Sequence, residues 1–292
     1  MATAKPITWR KEVVQWRSGS TLYLSIPFTW MLPEAKEIAG KHNGPVIAGG
    51  PAVKLVGIDW AETADACEFD VLSMHNPLAT FTTRGCPNRC GFCAVPRIEG
   101  EFRELEAWKP APIVCDNNIL AASDRHIERV VDSLLPFEGV DFNQGLDAEL
   151  FKPFHADQLA RLKSPMIRFA FDHVNAESHV ADAIALARRH GLRKFHVYVL
   201  VGFRDKPDDA LYRLEKVREW GIRPNPMRFQ PLDAIAKNEY VGKHWTAGML
   251  NDVMRYYSRL RYLEHIPFDE YHRNGDMPLM QGGYFDGDVE DE

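Results

Sequence analysis

Three of the five cysteines lie close together and are the side chains best suited to chemistry. Cys86, Cys90 and Cys93 have the spacing C-x3-C-x2-C within the stretch FTTRGCPNRCGFCAVPRIEG. Thiolates in this number and spacing are typical ligands of zinc or of an iron–sulfur cluster. A structural zinc site usually takes four protein ligands, commonly as two separated pairs, whereas this stretch supplies three.

The missing fourth cysteine has a chemical interpretation. A cube-shaped cluster with three cysteine ligands leaves one iron open, as catalytic metals keep one position free for a substrate or cofactor. Cys67, Cys115 or His75 could instead complete a four-ligand site, although none of them has the spacing of a motif. The trio alone therefore allows two hypotheses, an open cluster and a zinc or redox site.

The motif and its setting resemble the radical S-adenosylmethionine (radical SAM) superfamily over roughly residues 78–235. An aromatic residue, Phe92, directly precedes the third cysteine, and the trio follows the first strand of a predicted βα array. The resemblance implies that Cys86, Cys90 and Cys93 hold a 4Fe-4S cluster, that S-adenosylmethionine chelates the open iron, and that Phe92 lies at the cofactor. It also implies that one electron cleaves the cofactor to methionine and a 5′-deoxyadenosyl radical, which abstracts hydrogen from a substrate.

The resemblance also indicates where the cofactor would bind, because ligands of parallel βα folds gather at the carboxyl ends of the strands. After the second strand, where the family commonly has Gly-Gly-Glu, this chain has Cys115-Asp116-Asn117-Asn118. Asp116 and Asn117 are expected to accept N–H bonds from the amino group of the cofactor. The alternative is a helix-entry loop capped by Asn118 or Ser123.

Further candidates lie at the ends of the next four strands. Gln144 follows the third strand in a polar segment, either a ligand shelf or a turn with local side-chain caps. On the fourth strand, Arg168 is expected to bind a carboxylate and Asp172 a ribose hydroxyl, unless they form a buried pair without a ligand. Gly202 would let the adenine ring approach the fifth strand, and the sixth strand around Gln230 would offer backbone groups to its edge.

The elements that position these residues are predicted from alternating strand-like and helix-like runs. The predicted strands are Ala79–Thr83, Pro112–Cys115, Val140–Asn143, Met166–Phe171, Lys194–Val201 and Met227–Pro231. The predicted helices are Asp124–Leu135, Ala156–Leu162, Glu177–His190, Pro207–Trp220 and a last stretch, Thr246–Glu264. Repeated βα units predict an α/β fold with a parallel sheet. Six strands are too few for a complete eight-fold barrel, so we expect a partial (β/α)6 barrel of the TIM type.

The first part of the chain has a pattern of its own. The predicted elements there are a strand at Thr21–Phe28, a helix at Leu32–His42, a strand at Pro45–Ala48, a turn at Gly49-Gly50-Pro51 and a strand at Phe69–Leu72. This small α/β segment resembles a reduced form of the cobalamin-binding domain that precedes some radical SAM cores. The Asp-x-His-x-x-Gly motif of that domain is absent, so cobalamin binding is not expected.

The chain is therefore expected to have four regions. These are a small N-terminal α/β segment (1–77), a radical SAM core (78–235), a C-terminal helical extension (236–281) and an acidic, disordered tail (282–292). No apolar run approaches the roughly 20 residues of a bilayer span, and no signal peptide is recognisable, so a cytoplasmic location is expected. The formal net charge of −6 argues against a surface that coats nucleic acid broadly.

The function predicted from the sequence is that of a radical SAM enzyme. Its expected cofactors are the 4Fe-4S cluster and S-adenosylmethionine, and its expected protein partner is an electron donor such as flavodoxin or ferredoxin. A nucleoside or nucleic acid, a peptide and a small metabolite all remain open as substrates, and no membrane partner is expected. Trp9 and Trp16 lie among basic residues, a mix that either stacks on nucleic acid or forms a solvated edge. The alternatives are a non-enzymatic iron–sulfur or zinc protein and a catalytically degenerate radical SAM binder.

Overall fold

Two sheets of different size, each with its own hydrophobic core, organise the structure. It is a computed structural model that describes residues 9–10, 12–64 and 68–273. Cys67 and the predicted tail at 282–292 lie outside the described residues. No helix within the described residues is long and apolar enough to cross a membrane.

The smaller sheet belongs to the N-terminal part of the chain. Its strands are β1 (Val14–Ser18), β2 (Thr21–Ser25), β3 (Val46–Gly49) and β4 (Glu62–Thr63), and its helices are α1 (Leu32–Gly40) and α2 (Pro51–Val56). The strands lie in the order β1-β2-β3-β4, with β1 antiparallel to β2 and the other pairs parallel. The predicted strand–helix–strand unit is thus confirmed. We call residues 13–64 the N-terminal layer.

The structure corrects one prediction for this part of the chain and bears on a second. Phe69–Leu72 is not a strand, because Asp70 accepts a hydrogen bond from the Ser73 N–H (3.1 Å) and begins helix α3 (Val71–His75). The stretch containing Trp16 is strand β1, where the Trp16 ring stacks on Tyr23 with 5.4 Å between ring centroids. That ring is engaged within the protein, which favours the reading without nucleic acid.

The larger sheet is built from the predicted βα repeats. Its strands are β5 (Ala79–Thr80), β8 (Ile113–Val114), β9 (Asp141–Phe142), β10 (Met166–Ala170), β11 (Lys194–Val201) and β12 (Pro224–Arg228). A short antiparallel pair, β6 (Thr83–Arg84) and β7 (Arg103–Glu104), follows β5. The sheet is parallel, and its strands lie side by side in chain order from β5 to β12. The α/β class and the parallel sheet are confirmed, and the partial barrel stays a prediction.

Helices connect and flank these strands. They are α4 (Val95–Ile98), α5 (Asp124–Leu134), α6 (Pro153–Ala160), α7 (Glu177–Arg189), α8 (Pro207–Glu219), α9 (Ala247–Ser258), α10 (Leu260–Leu263) and α11 (Phe268–Arg273). The predicted last helix is divided, because Arg259 leaves the helical conformation (φ −112°, ψ 21°) between α9 and α10. Gly191 and Gly221, which have positive φ, follow α7 and α8 as the sequence predicted for helix ends.

The two faces of the larger sheet differ in character. Ile167, Phe169 and Val197 are fully buried and belong to the core that the sheet shares with the helices. The register pairs Ala170 with Tyr198, so both side chains project from the opposite face, where Ala170 is exposed and Tyr198 half-buried. The alternation predicted for β10 is therefore confirmed, and it produces one packed face and one open face.

The N-terminal layer contacts the larger sheet at segments that follow both of its edge strands. Near the β5 edge, the Lys54 ammonium donates to the Ile98 carbonyl and the Arg97 guanidinium to the Leu55 carbonyl, each at 3.2 Å. Near the β12 edge, the Thr29 hydroxyl donates to the Ala234 carbonyl. The N-terminal layer thus contacts the larger sheet near both of its edge strands, β5 and β12.

Candidate functional site

The three motif cysteines lie on a short loop, Gly85–Cys93, which we call the cysteine loop. The Glu99 carboxylate holds its entrance, accepting from the Gly85 N–H (2.7 Å) and pairing with Arg84 (3.0 Å). Gly85 has a φ of +74°, and a Cβ there would lie 2.3 Å from the Glu101 carbonyl oxygen. The residue at this point must therefore be glycine, for conformation and for space.

The cysteine thiols are close enough to affect one another. Cys86, Cys90 and Cys93 are all free thiols, Cys90 being the most exposed of the three. Partial burial raises the pKa of Cys90, and the neighbouring charges of Cys93 and Cys86 raise it further. Burial likewise raises the pKa of Cys93, with Cys86 adding to the effect. The raised pKa values disfavour the thiolate forms of Cys90 and Cys93, which a positively charged group such as a metal ion would stabilise.

The cysteine loop also faces acids from two strand ends. Asp172, which follows β10, raises the pKa of both Cys90 and Cys93, and Asp147, which follows β9, contributes at Cys90. Each acid comes after the last residue of a parallel strand. Because Asn88 of the loop also donates to Asp147 at 2.9 Å, the structure places the loop at the carboxyl edge of the larger sheet, where the sequence predicted the ligand site.

The described residues do not favour a ready-made single-ion site. No three His, Cys, Asp or Glu side chains in the described ranges converge closely enough to hold one metal ion. In a cube-shaped cluster, by contrast, each thiolate binds a different iron, so the three sulfurs stand around a larger group. The loop supplies three thiolate donors, one fewer than a closed structural zinc site usually takes.

The candidates for a fourth ligand are engaged elsewhere or lie outside the described residues. Cys115 is buried, and burial together with the adjacent Asp116 raises the pKa of its thiol to about 12, which disfavours a thiolate. The His75 imidazole bonds to the Ser25 hydroxyl at 2.9 Å, in the contact between α3 and β2. Cys67 is not among the described residues. The structure offers no support for a closed four-ligand site in its described part.

Asp116 supports the backbone that leads into the cysteine loop. Its Oδ1 accepts from the N–H groups of Thr82 (2.6 Å) and Thr83 (2.9 Å), and its Oδ2 accepts from the Thr82 hydroxyl. Burial raises the pKa of this carboxyl to about 6 in spite of these bonds. Both carboxylate oxygens of Asp116 already accept hydrogen bonds within the protein. The residues that follow Asp116 are therefore better candidates to accept a bond from the amino group of the cofactor.

The two asparagines that follow Asp116 carry unpaired buried atoms. Asn117 has a buried amide nitrogen, and Asn118 a buried amide oxygen, without a hydrogen-bond partner among the described residues. Asn118 is 3% exposed, and its own amide nitrogen donates to Asp147 at 3.1 Å. Of the two predicted helix caps, Ser123 is confirmed at α5, whereas Asn118 makes no capping bond. Sequence reasoning considered Asn118 only as one of two alternative caps and missed this atom.

Arg168 lies in a polar network on the open face of the sheet. It forms a two-bond pair with Asp141 (both 2.7 Å), and its remaining terminal nitrogen contacts His196 (3.1 Å) and the Tyr198 hydroxyl (3.0 Å). The alternative of a buried pair between Arg168 and Asp172 is therefore wrong, because Arg168 pairs with Asp141 on β9. The sequence missed Asp141 because the contact crosses between neighbouring strands.

Asp172 and a buried arginine shape the ends of β10 and β11. The Leu200 N–H donates to Asp172 at 3.2 Å, and burial raises the pKa of Asp172. Arg213 from α8 donates to the Phe171 carbonyl (2.9 Å), to the Leu200 carbonyl (2.8 Å) and to Asp205 (2.7 Å). This guanidinium fixes the two strand ends between which Asp172 lies.

A chain of aromatic rings joins the cysteine loop to the last two strands. Phe92 meets Phe203, which follows β11, edge to face with 5.5 Å between centroids. Phe203 lies 4.7 Å from Phe229, which in turn lies 5.1 Å from Tyr240. Phe92 is thus placed against the ends of β11 and β12, and the residue that receives it, Phe203, was not singled out from the sequence.

Three residues that were predicted to lie at the cofactor make no contact, within the described part of the chain, that points to a ligand. Contacts within the protein involve two of them, and the third is exposed. Gly202 has a φ of +90°, and its Cβ direction is filled by Leu250 of α9 (3.1 Å), so helix packing accounts for the glycine rather than room for a ring. Gln230 exchanges two hydrogen bonds with Asn238 (2.8 and 3.1 Å), which closes the loop after β12. Gln144 is exposed after β9.

Comparison with known proteins supports the fold more than the chemistry. No protein-family model and no curated protein matches the chain. A solved structure of the radical S-adenosylmethionine methyltransferase TsrM from Kitasatospora setae, with cobalamin and a 4Fe-4S cluster bound, matches with a TM-score of 0.54 and 11% sequence identity. The match covers 74% of this chain and 64% of TsrM, so the chain spans less than two thirds of that protein's length. The likeness shows that this chain shares a fold with a radical SAM enzyme.

Proposed function

We propose that this chain is a radical SAM enzyme. The observation that carries the proposal is the placement of Cys86, Cys90 and Cys93, as free thiols of one loop, at the carboxyl edge of a parallel sheet. The fold shared with a radical SAM methyltransferase supports it. In this proposal the larger sheet curves into a partial (β/α)6 barrel, and the face that carries Ala170 and Tyr198 lines its interior.

The three thiolates would hold a 4Fe-4S cluster. When bound, the cluster would supply one electron for reductive cleavage of S-adenosylmethionine, giving a radical that removes hydrogen from the substrate. The protein's contribution is to keep the cysteine loop in one shape through Glu99 and Gly85, and to provide a partly enclosed setting for the thiolates. A reduced electron carrier, such as flavodoxin or ferredoxin, would deliver the electron.

The structure refines which residues are the best candidates to hold S-adenosylmethionine. Asn118 replaces Asp116 as the acceptor for its ammonium group, because the amide oxygen is buried without a partner while both oxygens of Asp116 are engaged. Asp172 remains the candidate for a ribose hydroxyl, and Phe92 for a contact with the cofactor. Arg168 would act through the network that it forms with Asp141 rather than by meeting the ligand alone.

The substrate would lie over the open face of the sheet. Ala170, Tyr198 and Asn225 are register partners on β10, β11 and β12, so they project from this face together. The small Ala170 leaves room and the Asn225 carboxamide offers hydrogen bonds, whereas the Tyr198 hydroxyl is engaged by Arg168 and by the Asn143 carbonyl. A small polar metabolite or a nucleoside fits such a surface better than a long apolar chain.

Cobalamin is not part of the proposal, although TsrM binds it. The Gly49-Gly50 pair, which resembles part of a cobalamin-binding domain, is required by packing inside the N-terminal layer. A Cβ at Gly50 would lie 2.7 Å from the Ile26 carbonyl oxygen, and one at Gly49 would lie 2.8 Å from that of Ala64. These glycines therefore need no ligand to explain them.

Anaerobic reconstitution tests the proposal. The purified protein would be treated with iron and sulfide, reduced with dithionite and given S-adenosylmethionine, and 5′-deoxyadenosine would be measured by mass spectrometry. Formation of the nucleoside is expected, and Cys86→Ala, Cys90→Ala or Cys93→Ala should abolish it, whereas Cys67→Ala should not.

The other outcomes identify the alternatives. Tight binding of one zinc ion per chain, with no cluster formed, would overturn the proposal in favour of a zinc protein. Iron and sulfide that still bind to the triple cysteine variant would show that the trio is not the cluster site. A cluster that binds S-adenosylmethionine and never cleaves it would indicate a degenerate binder.

A further inference from the structure

The Asp147 carboxylate joins three segments at the carboxyl edge of the larger sheet. Its Oδ2 accepts from the side-chain amide of Asn88 in the cysteine loop (2.9 Å) and from that of Asn118 after β8 (3.1 Å). Its Oδ1 accepts from the Glu149 N–H (3.1 Å) within its own loop after β9. One side chain thus connects the cysteines to the two neighbouring loops.

A carboxylate at this point dictates the orientation of both amides. An ionised carboxylate only accepts hydrogen bonds, so Asn88 and Asn118 must each turn their NH2 groups toward it. For Asn118, this leaves the carbonyl oxygen on the far side of the amide, and that oxygen is buried without a partner in the described residues. A buried acceptor with no donor is costly unless a ligand completes it.

We infer that Asp147 is a positioning residue that holds the cysteine loop against Asn118 and turns the buried Asn118 oxygen toward an N–H donor ligand, the ammonium group of S-adenosylmethionine. The inference rests on the proposed function for the identity of the ligand. The connection among Asn88, Asp147 and Asn118 stands on the contacts alone.

The connection can be tested in the metal-free protein. Under anaerobic, reducing conditions, the rate at which iodoacetamide modifies Cys90 would be followed by mass spectrometry. Asn88→Ala and Asp147→Ala should each speed the reaction on the order of tenfold, as expected for loss of a hydrogen bond to a charged group. The double variant should react no faster than Asp147→Ala.

Comparing the two variants separates the effect of the cysteine loop's position from the effect of the Asp147 charge on Cys90. Removing the Asp147 charge by itself favours the Cys90 thiolate, whereas Asn88→Ala leaves the charge unchanged. An acceleration in Asp147→Ala without one in Asn88→Ala would therefore overturn the inference and assign the effect to electrostatics. Glu149→Ala, which removes a nearby exposed acid while keeping its N–H bond, is the matched control and should match the wild type.

The ligand part of the inference is tested by affinity in the reconstituted protein. Asn118→Ala and Asp147→Ala should each weaken binding of S-adenosylmethionine about tenfold, and the double variant should add little, because both changes remove the same oriented oxygen. The change that S-adenosylmethionine causes in the electron paramagnetic resonance spectrum of the reduced cluster should be lost in parallel. An exchange, Asn118→Asp with Asp147→Asn, rebuilds a bond of reversed polarity and should recover part of the affinity.

The two proposals fail in different ways. If the wild-type protein forms no cluster or does not bind S-adenosylmethionine, the proposed function and the identity of the ligand are overturned. If the wild type binds it and Asp147→Ala binds it equally well, the inference is overturned and the proposed function stands.

Discussion

The two halves of the larger sheet achieve order in different ways. Strands β5, β8 and β9 have two residues each, whereas β10, β11 and β12 have five, eight and five. The long half is held by continuous backbone ladders over a fully buried apolar face. The short half carries the cysteine loop, Asn118 and Asp147, and side chain–backbone bonds such as those of Asp116 replace the missing ladder. The scaffold and the candidate site thus occupy different halves of one sheet.

The largest effect is expected where the long half depends on one side chain. Arg213→Met leaves Asp205 and two strand-end carbonyls without their buried donor, so it should lower the free energy of unfolding by about 3–5 kcal/mol. Urea unfolding would measure it. Arg218→Met on the same helix breaks a more exposed pair with Glu215 and should cost about 1 kcal/mol or less. Equal losses for the two variants would contradict this account of the long half.

In the short half, Gly85 is the position least able to change. Gly85→Ala introduces both a strained φ and a clash with the Glu101 carbonyl, and it should cost about 2–5 kcal/mol by the sum of strain and overpacking. Gly100→Ala is a matched control, because Gly100 has the same φ of +74° and nothing within 4 Å of its Cβ position. Thermal or urea unfolding of both variants would show whether the loop entrance needs space or only conformation.

The burial of Asp116 predicts a pH dependence with a definite sign. Burial raises the pKa of this carboxyl from its ordinary value of 3.8 to about 6 in the folded protein, so folding favours the protonated form. Its contribution to stability is present at pH values below about 4 and is lost as the pH rises through about 6. Asp116→Asn removes that loss, so the variant should gain roughly 1–3 kcal/mol relative to wild type between pH 4 and pH 7. Urea unfolding at four pH values would test it, and a constant difference would contradict it.

The smallest effect concerns the contact that links the two halves. Phe203→Leu removes the edge-to-face contact with Phe92 and the ring contact with Phe229, and it should cost about 0.5–1.5 kcal/mol in total because leucine keeps part of the apolar packing. Faster alkylation of Cys93 in the metal-free variant would show that the long half steadies the cysteine loop. A variant with unchanged stability and unchanged alkylation would mean that the halves are independent.

The sequence predicted the scaffold well because the scaffold follows from local pattern. Alternation along Met166–Ala170 and glycines after the helices are features of single segments, and the structure agrees with both. Phe69–Leu72 was misread because its apolar residues outweighed the capping signal of Asp70. Gly202 was read as room for the adenine ring, whereas Leu250 of α9 packs against it. The predicted use of backbone groups around Gln230 stays a prediction, since the bonds to Asn238 involve the Gln230 side chain.

The site was predicted less completely because its contacts join segments far apart in the chain. The cysteine trio is a local motif and was recognisable at once. The pairs Asp141–Arg168 and Asn88–Asp147 span 27 and 59 residues, and no periodicity within one segment indicates them. Asn118 and Asp147 were visible as polar residues after strands, but their roles depend on which amide faces which carboxylate.

The N-terminal layer contacts the larger sheet near both of its edge strands. These contacts limit where the chain can be divided into fragments that fold on their own. The backbone ladder leaves β5 and β12 unjoined in the described sheet, and the layer spans that interval through Lys54 on one side and Thr29 on the other. The boundary predicted near residue 78 separates two patterns of sequence, but these contacts cross it. A fragment that begins there would lose its link between first and last strand, so the layer and the sheet are best regarded as one cooperative folding unit.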